Sequence, residues 1–423
     1  MQSSWDLGIQ GLSKDIEQCR ICSNKDLLTY LDLGIVPLAN KLVKSEDLNN
    51  EEQKFPLNVK LCKKCFNSQL GNVVNPEFLF TEYPYRSSIS QPFIEHCKSM
   101  AKTVNEKYQL SKADLVIDIA SNDGCLLEAF KPYNVKVLGI DPAKNLAEIA
   151  NKKGVETLPE FFTKEVAERV ANKYGKAKLI TATNVFAHVD DLNNFLSGVK
   201  TLLSNNGIFI IEVPHKKHLI EENQFDTIYH EHLSYFLARP IKKLLSNNGL
   251  KLIDIEKMDI HGGSLRFYSA KKESKLKRNK SNINAVISEE KKNGLYKLKT
   301  YKDFQKRVLN LKENLKNTLS ELKKQNKKIA AFGASAKGNT LLNFCNIDNK
   351  IIDYIVDDTP EKQNNFYPGT KIPILSFSKL ESDKPDYLII LAWKFAEKIM
   401  DKTKDFKEQG GKYIIPIPEV KII

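Results

Sequence analysis

The segment "DTIYHEHLSYF", residues 226–236, concentrates side chains that could do chemistry. The chain has seven histidines, and two of them, His230 and His232, flank Glu231 directly after Tyr229. These groups could bind a metal, transfer protons, or form a polar loop without chemistry. The metal interpretation is the weakest, because HExxH spaces its histidines one helical turn apart and these are two residues apart. The residues alone leave the other two open.

Four of the seven cysteines form two CxxC pairs, "CRIC" at Cys19 and Cys22 and "CKKC" at Cys62 and Cys65. Each pair can present two sulfurs to one tetrahedral ion, and four thiolates leave no position for water. The sequence shows no secretory signal pattern, which favours thiolate ligands over disulfides. We therefore predict a structural zinc site, with four reduced thiols as the alternative, and expect catalysis elsewhere.

The composition describes a globular chain of 423 residues with a net charge of +13. This length suggests two or three domains. The positive charge comes mainly from lysines spread along the chain, so we expect no nucleic-acid partner, and the densest cluster, residues 271–280, is predicted to be a solvated linker. No run approaches the ~20 apolar residues of a membrane span. We expect a soluble cytoplasmic protein without a membrane partner.

Short apolar segments alternate with helical patterns from residue 114 onward, which predicts a mostly parallel sheet with helices on both faces. A helix with an apolar face follows a lysine-rich stretch at about 271–300. After it, the alternation resumes and predicts a second, smaller α/β sheet. The resulting division is a zinc module at 1–80, a central domain at 81–275 and a C-terminal domain at 276–423. The apolar face of the helix comprises Phe304, Val308, Leu311, Leu315, Leu319 and Leu322.

The first strand of the central domain ends in "VIDIASNDGCLL", and the second ends at Asp141, about twenty residues beyond that turn. A strand, a turn, a helix and a later acid can bind an adenosine ribose. The turn has only Gly124 instead of GxGxxG, and it carries Asp118 and Asp123. Carboxylates repel phosphates and tolerate a sulfonium cation. The turn therefore favours S-adenosylmethionine over NAD, and a turn without a ligand is the alternative.

The chain resembles, over essentially its whole length, the sugar C-methyltransferases that act on nucleotide-linked deoxysugars. The paired CxxC motifs look like the zinc-binding domain of that family. The motifs "EYPYRSSIS" followed by His96, "SNDG", "NVFAHVDDLNNF", "EVP", "FDTIYHEHLSYF" and "HGGSLR" look like its methyltransferase core, and "GASAKGNTLLNFC" and "YPGTKIPI" look like its C-terminal domain. One departure is Ala120, where the family usually has glycine.

This resemblance implies a three-domain α/β enzyme: the zinc module, a class I S-adenosylmethionine-dependent Rossmann-like domain and a smaller C-terminal Rossmann-like domain. It also implies methyl transfer to a carbon next to the ketone of a nucleotide-diphosphate keto-sugar, most plausibly C3 of a 4-keto-6-deoxyhexose. His232 would be the general base, since a carbon acid needs a base and a stabilised enolate. Tyr229, Glu231, His188 and Tyr83 would line the same pocket.

The cofactor contacts implied by the resemblance are Asp118, Ala120, Asn122, Asp141 and Asn184. The turn "GASAKGNT" could hold a diphosphate through backbone amides and Lys337, although a small-residue turn needed for helix packing is as good an interpretation. Ser335, Lys337 and Asn339 are the predicted substrate contacts. Two alternatives stay open: an RNA methyltransferase, and a nucleotide-sugar-binding protein without turnover.

Overall fold

Three main β-sheets organise the chain, which the computed structural model describes over residues 9–260 and 262–423. The first has four strands, the second seven and the third six, and a separate two-stranded ribbon accompanies the first. This architecture confirms the predicted α/β fold class with an N-terminal module and a C-terminal sheet of its own. His261, the first residue of "HGGSLR", lies outside the described residues.

The N-terminal sheet is antiparallel, and its last strand comes from a distant part of the chain, Ser234–Tyr235. Its central strand "KFPLNVKLC" buries alternate residues, as expected when one face of a sheet covers a core. The regular elements before residue 81 are β1 (Ser13–Asp15), β2 (Leu27–Pro37), β3 (Lys54–Cys62), β4 (Ser68–Leu70), β5 (Asn72–Val74) and α1 (Pro76–Phe80).

The central sheet contains every strand predicted for this region and one short strand that the sequence pattern does not reveal. The elements from residue 91 to residue 271 are α2 (Gln91–Tyr108), β6 (Leu115–Ile119), α3 (Cys125–Phe130), β7 (Lys136–Ile140), α4 (Lys144–Lys152), β8 (Thr157–Leu158), α5 (Lys164–Tyr174), β9 (Ala177–Thr183), α6 (Leu192–Leu202), β10 (Leu203–Pro214), α7 (Lys216–Glu221), β11 (Ser234–Tyr235), α8 (Ala238–Asn247), β12 (Leu250–Met258) and β13 (Ser264–Lys271). Of these strands, β11 belongs to the N-terminal sheet. The unforeseen strand is β8.

The central strands run in the order β12-β13-β10-β9-β6-β7-β8, with β13 antiparallel to both of its neighbours and the other pairs parallel. The chain leaves β6 toward β7 on one side and returns to β9 on the other side. The carboxyl end of β6 is therefore the topological switch point, where open α/β sheets bind ligands.

Two helices connect the central and C-terminal sheets: α9 (Lys280–Lys292) and α10 (Leu298–Lys324). The lysine-rich stretch is therefore not a linker throughout, because α9 buries Ile283, Val286 and Glu290. Residues 272–279 before it form no helix or strand and are mostly exposed, as predicted. All six apolar residues predicted to face a core from α10 are buried.

The C-terminal sheet has the order β16-β15-β14-β17-β18-β19, parallel except for its last pair. Its elements are β14 (Ile329–Phe332), α11 (Ala336–Cys345), β15 (Tyr354–Val356), β16 (Ile374–Leu375), α12 (Ser378–Asp383), β17 (Tyr387–Ile390), α13 (Ala396–Lys402), α14 (Lys404–Glu408), β18 (Lys412–Ile415) and β19 (Lys421–Ile422). The boundaries after residues 80 and 275 stay a prediction. Among the described helices, none is long and apolar enough to cross a membrane.

The four predicted metal ligands converge at one end of the N-terminal sheet. Their sulfur atoms all lie within 4.8 Å of one another, and the two closest recorded pairs, Cys19 with Cys65 and Cys22 with Cys62, are 3.5 and 3.6 Å apart. Zn–S bonds of about 2.3 Å in a tetrahedron place sulfurs about 3.8 Å apart, so the cluster fits one zinc ion. In the described part of the chain, "YHEH" forms no such group.

The two CxxC turns have the same backbone geometry. After the second cysteine of each pair, a left-handed residue, Ser23 or Phe66, donates its N–H to the carbonyl of the first cysteine at 2.8 Å. Both sulfurs of each pair therefore point toward the same ion. Such a closed site stabilises a fold and leaves no position for a reacting ligand.

Replacing one ligand tests this site. Cys62→Ser should lower the zinc content well below one ion per chain and unfold the N-terminal sheet, because zinc binding and folding are coupled. Cys345→Ala is the matched control, since Cys345 is equally buried but lies outside the cluster. Metal analysis and thermal unfolding measure both effects. A Cys62→Ser protein with a full zinc equivalent and wild-type stability would contradict the assignment.

Candidate active site

The turn after β6 alternates residues with left-handed backbone conformation. Ala120, Asn122 and Gly124 have φ angles of 56°, 54° and 82°. The Ala120 N–H donates to the carbonyl of Ile140 at 2.7 Å, which ties the turn to the end of β7. Three such residues fold the chain back tightly and leave an open cradle at the switch point.

Asp141 closes this cradle from the neighbouring strand. One carboxylate oxygen accepts the Asn122 N–H at 2.7 Å and the other accepts the Ala143 N–H at 2.8 Å. Burial raises the pKa of Asp141, and these two bonds oppose the rise. Each oxygen keeps a lone pair, so the carboxylate can also accept ribose hydroxyls.

The other predicted cofactor contacts lie around the same edge. Asp118 ends β6 buried, accepts the Thr181 hydroxyl at 2.6 Å, and has its pKa raised to about 7 by burial. Asn184 follows β9 in a left-handed conformation and is half-buried. Asp123 binds Ser88 and pairs with Lys153 at 3.3 Å, so its charge is compensated by that lysine.

Residues 82–90, the "EYPYRSSIS" region, lie against this turn. The Ser87 N–H donates to the Asn122 side chain at 2.8 Å, and that side chain donates to the Tyr85 carbonyl at 3.1 Å. Tyr83 exchanges hydrogen bonds with Asn145 at the start of α4. This segment therefore connects the turn after β6 to the residues that its own side chains contact.

Tyr83 reaches the "YHEH" segment. Its hydroxyl donates to one oxygen of Glu231 at 2.8 Å, and Asn40 donates to the other at 2.6 Å. Burial raises the pKa of Glu231, and burial together with the Glu231 charge raises that of Tyr83. Both Glu231 oxygens are engaged, so this carboxylate holds its neighbours in place.

His232 and Tyr229 form the second pair of the segment. His232 Nδ1 lies 2.7 Å from the Thr227 carbonyl, which can only accept, so Nδ1 carries the hydrogen. In the neutral imidazole, Nε2 then has the lone pair and accepts the Tyr229 hydroxyl at 2.8 Å. The pKa of Tyr229 is raised well above its usual value, first by burial. A neutral imidazole with a basic nitrogen next to a protonated phenol is suited to proton transfer.

His188, which was predicted to line the pocket, and His230, which belongs to the "YHEH" motif, lie in different positions. His188, in the turn after β9, has its ring centroid 5.1 Å from that of His232, and burial lowers its pKa to about 4. His230 faces away from the pair and contacts the Phe55 carbonyl at 3.3 Å. His230 and His232 therefore do not converge on one ion.

The C-terminal domain contacts the same segment through the middle of α11 and through Trp393, which follows β17. Thr340 donates to the Ile228 carbonyl at 3.3 Å, and Trp393 donates to buried Asp226 at 2.7 Å. Burial lowers the pKa of Lys337 and raises the pKa of Asp226. The opposite charge of each partner acts against these shifts. The residues directly before Tyr229 are thus held by the C-terminal domain.

Of the three predicted substrate contacts, Ser335 caps α11 by accepting the Gly338 N–H at 3.1 Å. Asn339 is buried, donates to the Pro368 carbonyl at 2.9 Å and accepts from Asn343, so its amide fixes the neighbouring loop. A Cβ on Gly338 would lie 2.8 Å from the Tyr367 hydroxyl. Close packing therefore requires glycine there, as the packing interpretation of this turn expected.

The C-terminal sheet repeats the carboxylate geometry of the central one. Asp357 follows β15 and accepts the Ala334 N–H, from the turn after β14, at 2.7 Å. Its other oxygen accepts the N–H of Thr359, two residues ahead, at 2.9 Å. Asp141 makes the same two types of bond, so the two carboxylates have equivalent positions in their sheets.

A buried ion network near the end of β10 and the start of β13 was not predicted from the sequence. Arg266 donates to Glu212 at 2.7 Å, and His96 contacts the same carboxylate at 2.6 Å. Glu212 and Arg266 lie in motifs quoted above, and His96 comes six residues after the end of another. Their place in those ordered motifs was the available signal, which Asp226 shares and Asn40 lacks.

The left-handed conformation of Ala120 carries a backbone cost, because a Cβ is disfavoured there. Ala120→Gly should therefore raise the free energy of unfolding by about 1 kcal/mol. Ala129→Gly in α3 is the control and should lower it by about 0.5–1 kcal/mol. Denaturant titration measures both, and a destabilised Ala120→Gly protein would show that the methyl packs favourably.

Three family models match successive parts of the chain. A family described as a zinc binding domain matches residues 19–80, a methyltransferase domain matches residues 96–255, and a C-methyltransferase C-terminal domain matches residues 259–418. The zinc-type model covers the four cysteines. The methyltransferase model, with the strand order above, confirms the predicted enzyme class and its S-adenosylmethionine cofactor.

Similar proteins agree with these matches. The C-methyltransferase NovU of Streptomyces niveus is 36% identical over 415 residues, covering 98% of this chain and 99% of its own. A ubiquinone biosynthesis O-methyltransferase of Bartonella quintana is 24% identical over 152 residues, 33% of this chain and 61% of its own.

Among solved structures, a SAM-dependent methyltransferase from Archaeoglobus fulgidus covers 42% of this chain and 94% of its own, at 14% identity and a TM-score of 0.35. The alignment with NovU runs through all three parts of the chain, including the zinc cluster and the C-terminal sheet. The chain therefore belongs to the C-methyltransferase family that has a zinc-binding N-terminal domain and a C-terminal domain of its own.

Proposed function

We propose that this enzyme transfers a methyl group from S-adenosylmethionine to the carbon next to the ketone of a nucleotide-diphosphate keto-deoxysugar, most plausibly C3 of a 4-keto-6-deoxyhexose. One observation carries the proposal: the segment that holds the His232–Tyr229 pair is bonded on one side to Tyr83, from the region next to the cofactor turn, and on the other side to Thr340 of α11. The zinc–thiolate site suits a reducing compartment, and we propose that the enzyme works in the cytoplasm.

His232 would remove the proton that activates the carbon. With Nδ1–H fixed on the Thr227 carbonyl, Nε2 is the basic atom, and substrate entry would displace the Tyr229 hydroxyl from it. The C–H electrons then move into the carbon–carbon bond and place negative charge on the ketone oxygen. S-Adenosylmethionine, when bound, supplies an electrophilic methyl group whose C–S bond breaks as the new C–C bond forms.

Neutral donors would stabilise the enolate oxygen. The Tyr229 hydroxyl, released from Nε2, has a raised pKa and stays protonated at neutral pH. His188 has a pKa lowered to about 4 and is neutral there, so it can donate one N–H without adding a charge. Glu231 would hold Tyr83 and the "YHEH" segment in fixed relative positions.

The nucleotide would lie on the C-terminal sheet. The start of α11, with Ser335 and Lys337, offers backbone N–H groups and a positive charge to the diphosphate. Asp357 would accept a hydroxyl of the nucleoside sugar, as Asp141 would for the cofactor. Asn339 would act indirectly by fixing the Pro368 loop.

An RNA methyltransferase and a binding protein without turnover have less support. The C-methyltransferase family membership favours a carbon acceptor and a reaction, and the proton-transfer pair would have no part in binding alone. Incubation with labelled cofactor and either keto-sugar nucleotides or total RNA separates the three.

His232→Ala should lower turnover by about 10²- to 10⁴-fold and leave affinity for S-adenosylhomocysteine within about twofold, because a base acts on the transition state. Deuterium exchange isolates the step. With S-adenosylhomocysteine and a keto-sugar nucleotide bound, wild type should exchange the acidic carbon proton, and His232→Ala should do so far more slowly.

His230→Gln is the control for that experiment, since His230 has the same residue type in the same segment but faces the Phe55 carbonyl. It should retain most of the exchange and turnover. Near wild-type methylation by His232→Ala would mean that the base lies elsewhere.

The two ribose-type carboxylates should separate two ligands. Asp141→Asn should weaken S-adenosylhomocysteine binding by roughly ten- to a hundredfold and spare nucleoside diphosphate binding, and Asp357→Asn should do the reverse. Calorimetry with S-adenosylhomocysteine, UDP and TDP measures both. Each variant is the control for the other, because both replace a carboxylate with an amide and disturb an equivalent pair of backbone hydrogen bonds. Unchanged nucleotide affinity in Asp357→Asn would exclude the C-terminal placement.

A further inference from the structure

Arg20, between two of the zinc ligands, contacts both loops that present histidines to the active site. Its Nε donates to Asp190 at 3.2 Å, and Asp190 is two residues after His188. Its Nη1 donates to the Leu233 carbonyl at 3.2 Å, directly after His232. A single guanidinium thus spans two segments that are more than forty residues apart in sequence.

The contact is built into the fold. The Arg20 side chain is 4% exposed, and the same Nη1 contacts the Leu70 carbonyl at 3.4 Å. The Leu70 N–H also donates to the Leu233 carbonyl, at 3.0 Å. The Arg20 backbone is held in turn by Gln69 and by its place in the first CxxC turn. A lysine there has a single donor centre and could not reach both loops in a fixed geometry.

We propose that Arg20 is a positioning residue that sets the separation of His188 and His232, so that the zinc-bound turn determines the geometry of proton transfer. The rings of these histidines are 5.1 Å apart at their centroids. Zinc fixes the turn, the turn fixes the guanidinium, and the guanidinium fixes both loops. The effect on turnover rests on the proposed function, whereas the effect on histidine geometry does not.

Arg20→Lys keeps the charge and breaks the two-loop contact. Asp190→Asn removes the negative charge that both Arg20 and Lys14 bind, weakens the hold on the His188 loop alone, and covers the case in which Arg20→Lys fails to fold. NMR of the full chain with ¹⁵N-labelled histidine reads the imidazole environments and tautomers without substrate. We expect the His188 and His232 signals to move in Arg20→Lys, chiefly that of His188 to move in Asp190→Asn, and the His215 and His218 signals to stay in place in both.

Zinc content should stay at the wild-type level, S-adenosylhomocysteine affinity should stay within about twofold, and kcat with a keto-sugar nucleotide should fall about ten- to a hundredfold, as expected for a misplaced catalytic group. Leu319→Ala, a buried change in α10, is the stability control. It should lower the melting temperature without moving the two histidine signals or kcat.

Wild-type His188 and His232 signals in both variants would overturn the proposal, and so would an equal loss of kcat in Leu319→Ala. If the signals move but the wild-type enzyme methylates no keto-sugar nucleotide, the positioning role stands and the proposed substrate is wrong.

Discussion

The backbone of residues 228–233 is the constraint on which the active site depends, because it is irregular and largely buried. Buried carbonyl and N–H groups need partners, and a segment outside helices and strands must find them elsewhere. Here the N-terminal module bonds Leu233, and the C-terminal domain bonds Ile228. The conformation of this segment therefore depends on contacts with the domains on both sides of it.

The sequence predicted what depends on local pattern. Buried parallel strands are long apolar runs, and paired cysteines have a spacing that few other functions share, so both sheets and the zinc cluster were foreseen. Helix α9 was missed because its buried face has only Ile283, Val286 and Glu290 in a lysine-rich stretch. The N-terminal sheet was missed because one of its strands, β11, comes from about 165 residues farther along the chain than β4.

Within the site, the residue types were easier to predict than the direction in which each side chain points. The pairing of Tyr83 with Glu231 follows from neither spacing nor periodicity, since it joins positions 148 residues apart. His230 and His232 look equivalent in sequence, yet one faces Phe55 and the other faces Tyr229. Long-range partners such as Asn40 and Arg20 carry no local signature, because their roles are set by the domain arrangement.

The Trp393–Asp226 contact bears on how such enzymes could be recombined. The Trp393 indole of the C-terminal domain binds the carboxylate of Asp226, three residues before Tyr229, where Asp226 is fully buried and Trp393 is 9% exposed. A chimera that borrows a C-terminal domain to accept another nucleotide would have to bring a matching donor for this carboxylate. Otherwise the Asp226 carboxylate would stay buried without its indole partner at the contact between the two domains. The new C-terminal domain would then disturb the active-site segment of a methyltransferase domain whose own sequence had not changed.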